Sequence, residues 1–414
     1  MSKVLIIGGG IMGLSSAYYL QKAGHEVTIL EKGDLTDNCS FGNAGMIVPS
    51  HFIPLAAPGM VQQGIRWMFN SKSPFYVKPS LNPDLISWGL KFLKHANTSH
   101  VERSAKPLME ISLLSKNLYQ KLNKEPAFDF GLVEKGILMF YKTEKAGEEE
   151  AHVAEKGREL GLDMAVLNPK ECHDLQPDLK LDVLGAVHYR CDAHLYPTHL
   201  IAALVKHLES NGVNIIRNHE VTRIETSGGK ISKVLTGTKE LTADEYIIAG
   251  GSWSPAIAKL VNLKVSLMPG KGYSFMVKEP QQRMQIPALL AEARVAITPM
   301  NGSIRYGGTM ELDKINDRIN MNRVKGIVES IPKYFPDLHP ELPAEKEIWF
   351  GFRPSSPDGL PYIGRSNKYA NLVIATGHGM MGLSLGPATG LLVSEIVSET
   401  KTHIDVNAFS PNRF

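Results

Sequence analysis

The sequence predicts an α/β fold. A nucleotide-binding domain assembled from discontinuous pieces carries a second, α+β domain built on a mostly antiparallel sheet. Three observations lead there. An apolar strand runs into glycines and then into a helix at the start ("KVLIIGGGIMGL"), in the middle ("EYIIAGGSW") and near the end ("NLVIATGHGMMGLSLGPATGLLVSEIV"). Between these units lie β-rich stretches such as "GILMFY", "GAVHYR", "GYSFMV" and "IRYGGTMEL". The 414 residues suffice for one large or two medium domains with a sizeable core.

Taken in order, Val4 to Ile7 reads as a strand buried on both faces, as in a parallel sheet. Gly8 to Gly13 makes the turn, and Leu14 to Ala23 reads as a helix capped by Gly24. Glu26 to Leu30 is the second strand, with Glu31 at its end, which completes a βαβ unit of about thirty residues. After Gly42-Asn43-Ala44-Gly45 a Pro- and aromatic-rich stretch runs to about Pro83. Helices are expected over Asp84–His95, Ala105–Leu122 and Pro197–Gly212, the last with Pro near its first turn. Segments 131–142, 183–190, 264–278 and 286–311 are expected to share the antiparallel sheet, and "VNIIRNHEVTRIET" to give two short strands. The expected division is 1–60, 195–260 and 345–414 for the nucleotide-binding domain, and 61–194 and 261–344 for the substrate domain.

Composition narrows the function. A net charge of +3 is near balance, so no nucleic-acid partner is expected. The three cysteines, Cys39, Cys172 and Cys191, are far apart and form no CxxC pair, which fits a reducing, cytoplasmic compartment. His173, His188, His194 and His199 show no ligand spacing, and no metal is expected. The first apolar run is too short for a signal peptide, and no stretch reads as about eighteen apolar residues, so no transmembrane helix is expected. Peripheral contact with the inner membrane stays open.

Gly8, Gly10 and Gly13 satisfy GxGxxG. The first permits a tight turn, the second lets backbone approach a pyrophosphate, and the third lets helix pack closely on strand. The helix N-terminus then offers N–H groups and a positive dipole end to phosphates. Glu31 stands where an acid can accept from a ribose diol. A glycine turn needed only for packing would not explain that acid. The fingerprint alone leaves NAD and FAD open.

The whole chain resembles the D-amino-acid oxidase/glycine oxidase superfamily of FAD enzymes, and within it most of all the D-amino-acid dehydrogenases. The matches are "IIGGGIMGLSSAYYLQKAGHEVTILEK", "SFGNAGMIVPSH", "DAHLYPTHLIAAL", "IIAGGSWS", "GFRPSSPDGLPYIG", "GHGMMGLSLGPATG" and "FSPNRF", in that order. The resemblance implies a Rossmann-like FAD-binding domain of the GR2 type with an inserted substrate domain. Gly8, Gly10, Gly13, Glu31 and Lys32 would hold the ADP half of FAD. Ser40, Asn43, Ala44 and Gly45 would run beside pyrophosphate and flavin, and Val221 would present backbone to adenine. Gly250, Gly251 and Trp253 would close the slot. Gly379, Met380, Met381, Gly382 and Leu383 would offer N–H groups near the pyrimidine ring. Relatives with covalent flavin use a cysteine before the "RP..PDG" motif or a histidine after the first βαβ unit. Here "KEIWFGF" and "DLTDNCSFGNAG" hold neither in place, so non-covalent FAD is expected, with Cys39 the one conceivable attachment point.

Arg353, in "GFRPSSPDG", is the first candidate for substrate contact. A guanidinium makes two parallel hydrogen bonds to a carboxylate, and the arginine of this motif does so in the resembling family. The alternative is a structural ion pair with Asp358 or Glu347. Tyr273 and Tyr306 lie on strands that should roof the flavin, where a phenol can add a hydrogen bond; the alternative is ordinary sheet packing. His51 is the candidate general base, since the amine must be neutral before oxidation. His378 reads as part of the flavin loop.

The implied reaction is hydride transfer from the α-carbon to flavin N5. It gives an imine, then a 2-oxo acid and ammonia, with electrons passed to a quinone or another acceptor. Preference for D-amino acids rests on the resemblance alone. D-proline, hydroxy-D-proline and neutral D-amino acids such as D-alanine stay open. One rival is an oxygen-using oxidase of glycine or sarcosine. Others are a flavin module of tRNA modification, with "RVKGIVESIPKYF" as its nearest basic stretch, and a non-catalytic FAD-binding protein.

Overall fold

A computed structural model describes residues 1–68, 73–77 and 82–414 of the chain, with the side chains of 66–68 left aside. Parts of the Pro- and aromatic-rich stretch, 69–72 and 78–81, lie outside the described residues.

Five strands of one sheet are parallel neighbours in the order Leu372–Thr376, Glu245–Ile248, Lys3–Ile7, Glu26–Leu30 and Asn214–Ile216. Tyr362–Arg365 closes one edge antiparallel. The strands come from the start, middle and end of the sequence. Their apolar runs are continuous because both faces are covered. On one face the first helix, Ile11–Lys22, packs against the C-terminal helix Gly382–Val397. The contact is close: a Cβ on Gly390 would lie 2.4 Å from the Ser15 backbone, and one on Gly386 2.7 Å from Ile11. That is the physical content of "GPATG".

The second sheet has nine strands. Its path runs from Trp349–Ser355 through Met268–Lys278, Ser303–Leu312, Val295–Met300, Ala288–Leu290, Ile137–Tyr141 and Gly185–Tyr189 to Met164–Leu167, and Phe75–Val77 joins beside Ser303–Leu312. It is antiparallel except where Ala288–Leu290 meets Ile137–Tyr141 and where Phe75–Val77 joins. Trp349–Ser355, from the C-terminal segment, therefore belongs to this sheet. A two-residue ribbon, Met46–Ile47 against Ala193–His194, ties the loop after the first βαβ unit to the end of Gly185–Tyr189.

The structure extends several expectations. The first helix starts at Ile11 rather than Leu14, because Gly10 supplies its N-cap backbone. The second long helix begins at Thr98, where the Asn97 side chain accepts from His100 N–H. Helix Glu144–Glu159 went unread; its charged sequence hides a narrow apolar stripe containing Ala154. Gly379–Val397 is long and apolar enough to cross a membrane by length and composition. It is 72% buried within the fold, so its apolar character serves the core.

Candidate active site

A cavity of about 1900 Å³ opens between the two sheets. Pockets for drug-sized ligands usually measure about 300–1,000 Å³, so there is room for a dinucleotide and a small substrate together.

Backbone builds one end. Gly8 has φ +117°, and a Cβ there would meet Ala249 O at 2.6 Å. A Cβ on Gly13 would lie 1.9 Å from Gly8 O, so only glycine lets the helix start this near the strand. Gly10 faces the cavity with only Ser40 Oγ nearby, 3.9 Å from where its Cβ would be. The open space at Gly10 above a helix N-terminus is a cradle of the kind a pyrophosphate needs. Ser40 Oγ accepts from Ile11 N–H at 3.3 Å. Glu31 is held in place by Gly9 N–H at 2.6 Å and Gly33 N–H at 2.8 Å. The Lys32 ammonium sits 3.7 Å from the centre of a Trp253 ring. Val221, Gly250, Gly251, Asn43 and Ala44 also line the cavity. The turn Gly379–Met381, with Gly382 and Leu383, brings the C-terminal helix N-terminus to its wall.

Two of the expected glycines stand behind the wall. Gly13 packs helix on strand. Gly45, at φ +75°, packs against Leu195 O, which its Cβ would meet at 2.2 Å.

Side chains build the other end. Arg353 lines the cavity and donates to Thr309 O at 2.7 Å. It fills the space that any side chain at Gly272 would need, since a Cβ there would lie 2.1 Å from Nη1. Asp358 is not its partner, because it pairs with Arg413 of the terminal "FSPNRF" at 2.6 Å. Glu347 accepts from Ala344 N–H instead. Among the described residues Arg353 has no carboxylate at ion-pair distance. Burial brings its pKa down to about 10, so it remains a cation that lacks an anion. Thr309 holds φ +64°, costly for a β-branched residue, and presents to Arg353 the carbonyl it accepts through.

Tyr273 touches the cavity, but its hydroxyl is committed. It donates to Glu311 Oε2 at 3.2 Å and accepts from Asn320 N–H at 3.1 Å. Tyr306 is not brought to the cavity. It is buried in the sheet's core, its ring stacked on Phe275 at 5.4 Å. Its neighbour Arg305 reaches the cavity instead and clamps Phe41 O and Asn43 O. Strand alternation puts only one of the two on that face, and the sequence held no signal for which. His51 lines the cavity, Nδ1 2.9 Å from Ser50 Oγ. Burial, then the Arg294 charge, lowers its pKa to about 4, so it is neutral at pH 7. His378 bonds Thr389 Oγ1 at 2.9 Å and, by burial, is lowered to about 3.

A backbone-built nucleotide cradle facing an arginine with no carboxylate partner among the described residues is the arrangement of a dinucleotide-dependent enzyme. The family model described as FAD dependent oxidoreductase (DAO) matches residues 3–396. The chain belongs to this family of FAD-dependent oxidoreductases. It is 30% identical to a D-amino acid dehydrogenase of Helicobacter pylori (strain J99), over 99% of this chain and 98% of that protein. It is 29% identical to a D-amino acid dehydrogenase of Bradyrhizobium diazoefficiens, over 100% and 99%. Among solved structures, glycine oxidase from Geobacillus kaustophilus superposes with a TM-score of 0.80 at 26% identity, covering all of both chains. The cofactor is FAD, and the enzyme is an oxidoreductase acting on amino acids.

Proposed function

We propose that the protein is a D-amino-acid dehydrogenase that oxidises its substrate at the α-carbon and passes electrons to a quinone or another acceptor rather than to oxygen. The observation that carries the reading is Arg353, a half-buried cation without an ion-pair partner among the described residues, at the wall of the FAD cavity. Its fork receives the substrate carboxylate and so fixes one face of the α-carbon. When bound, FAD supplies the two-electron acceptor for the α-hydrogen, taken as hydride. Gly8, Gly10 and Glu31 hold the ADP half; Asn43, Ala44 and the turn Gly379–Met381 border the flavin, non-covalently. Gly13 and Gly45 support that cradle from behind, and Tyr273 acts by bracing Glu311.

Preference for the D-form is supported by the relatives' names. The apolar wall around Pro54 and Leu55 suits a side chain such as that of D-alanine or D-proline. The free Cys39, Cys172 and Cys191 fit a cytoplasmic location. Ile86, Leu90 and Leu93 are exposed on helix Pro83–His95, an apolar row suited to peripheral membrane contact near a lipid-soluble quinone. The likeness to glycine oxidase favours one second reading, an oxidase of glycine or sarcosine.

The test is anaerobic absorbance of the flavin while D-alanine, D-proline, cis-4-hydroxy-D-proline, their L-forms, glycine and sarcosine are added in turn. Bleaching by D-forms alone is expected. Bleaching by glycine or sarcosine, with hydrogen peroxide on readmitting air, would move the assignment to the oxidase.

A further inference from the structure

A buried hydrogen-bonded chain ends at the substrate side of the cavity, and no role described so far uses it. Asp192 is fully buried. Its Oδ1 accepts from Ser50 N–H at 3.0 Å and its Oδ2 from Ser50 Oγ at 2.6 Å. Ser50 Oγ in turn meets His51 Nδ1 at 2.9 Å. His51 lines the cavity, and its Nε2 makes no hydrogen bond to the described residues. The ribbon Met46–Ile47 with Ala193–His194 pins the two loops together, which places Ser50 against Asp192.

We propose that Asp192, acting through Ser50 and His51, takes up the proton that an incoming substrate ammonium must lose before its α-hydrogen can leave. The proposal rests on the amino-acid reading above. The ammonium N–H is given to His51 Nε2. His51 gives its Nδ1 proton to Ser50 Oγ, and Ser50 gives its hydroxyl proton to Asp192 Oδ2. Three N–H or O–H bonds break and three form. The amine becomes neutral, Asp192 becomes a carboxylic acid, and imidazole and hydroxyl each end neutral with their hydrogen bonds reversed. His51 and Ser50 are a relay, and Asp192 is a positioning and proton-storing residue that never touches substrate.

The electrostatics favour this destination. Arg294 faces His51 and disfavours an imidazolium. The Tyr189 ring lies 6.4 Å away, and its hydroxyl holds Glu150 at 2.7 Å, so Glu150 is engaged. Around Asp192, Cys191 Sγ lies 3.5 Å from Oδ1, and Lys116 is committed to Cys191 O at 2.8 Å. A buried carboxylate with no paired cation is relieved by gaining a proton. Burial, the largest influence on it, raises the Asp192 pKa to about 7.

The experiment has two arms. The first follows the rate of anaerobic flavin bleaching against pH at subsaturating substrate, using whichever amino acid bleaches the wild type. The wild-type rate should rise through about pH 7, where Asp192 loses its proton, and then level. Asp192→Asn, and separately Ser50→Ala, should lose about 100-fold at pH 7.5, the usual size of general-base assistance, and regain it toward the substrate's own amine pKa. The second arm needs no substrate: nitrogen NMR of His51 should show the Nδ1–H tautomer above that pH and Nε2–H below it in the wild type, with no switch in Asp192→Asn. Variants that keep the wild-type profile, or a wild-type tautomer that does not change, would overturn the proposal. Should no amino acid bleach the wild type, the amino-acid reading fails, and the tautomer arm still decides the chain. Should Asp192→Asn not fold, Ser50→Ala and the wild-type tautomer decide.

Discussion

The two ends of the cavity are built from different materials. The cofactor end is backbone: glycines whose missing Cβ atoms make room, a helix N-terminus, and one carboxylate held by two N–H groups. The end proposed for substrate is side chain: Arg353 and His51, with Arg305 at the seam, delivered from three separate segments and oriented by carbonyls and a serine. Backbone recognises what every dinucleotide shares, whereas side chains decide which small molecule reacts. Substitutions at the two ends should therefore fail in different ways.

The largest effect is expected at Gly13. Gly13→Ala puts a methyl 1.9 Å from the Gly8 carbonyl, a backbone atom that cannot yield without moving the strand. The purified protein should carry no flavin absorbance and should melt well below the wild type. Retained flavin would break the claim that this end is fixed by backbone. Next, Arg353→Lys should leave flavin content intact while lowering kcat/KM about 100-fold, because the loss of one or two charge-assisted hydrogen bonds of about 1.5–3 kcal/mol is involved. Arg305 sharpens the comparison, since it lies at the seam. Arg305→Met frees the carbonyls of Phe41 and Asn43 and should weaken FAD binding about tenfold, within the span of one charge-assisted hydrogen bond, as read by flavin fluorescence on dilution.

Buried histidines also give the fold a pH signature. Burial lowers the pKa of His51 and of His194 to about 4 in the folded state. The unfolded chain then binds more protons than the native one between about pH 4 and 6.5, so Tm should rise across that window. Asp192 runs the other way. Its folded pKa is raised, so its contribution is lost as pH rises toward about 7. Asp192→Asn should gain on the wild type over the same interval. The smallest effect is expected at Tyr306. Tyr306→Phe lies in the core and not at the cavity, and should change kcat/KM less than about twofold, as surface and core swaps without lost partners do.

The same contrast explains what was legible in the sequence. Gly8, Gly10 and Glu31 could be read because close backbone approach admits only glycine, and because the acid falls at a fixed place after the second strand. Arg353 could be read because it combines a fork-shaped cation with a turn motif. Tyr306 and Arg305 could not be separated, since adjacent strand residues face opposite ways and the packing of helix Met321–Ser330 decides which side is core. Asp192 was invisible for another reason. It lies 142 positions from Ser50, and only the Met46–Ile47 ribbon brings them together. The apolar helix Gly382–Val397 was legible as the helix of the third strand–glycine–helix unit, and Gly386 and Gly390 within it let it pack on Ile11–Lys22.

The central claim is that a substrate carboxylate docks on Arg353 beside the flavin. The most direct measurement is anaerobic flavin bleaching by the best D-amino acid and by its carboxamide, which differs only in lacking the carboxylate. The account predicts bleaching by the acid and a requirement for about 100-fold more of the amide, with the difference abolished in the uncharged variant Arg353→Met. Equal bleaching by acid and amide in the wild type would contradict it.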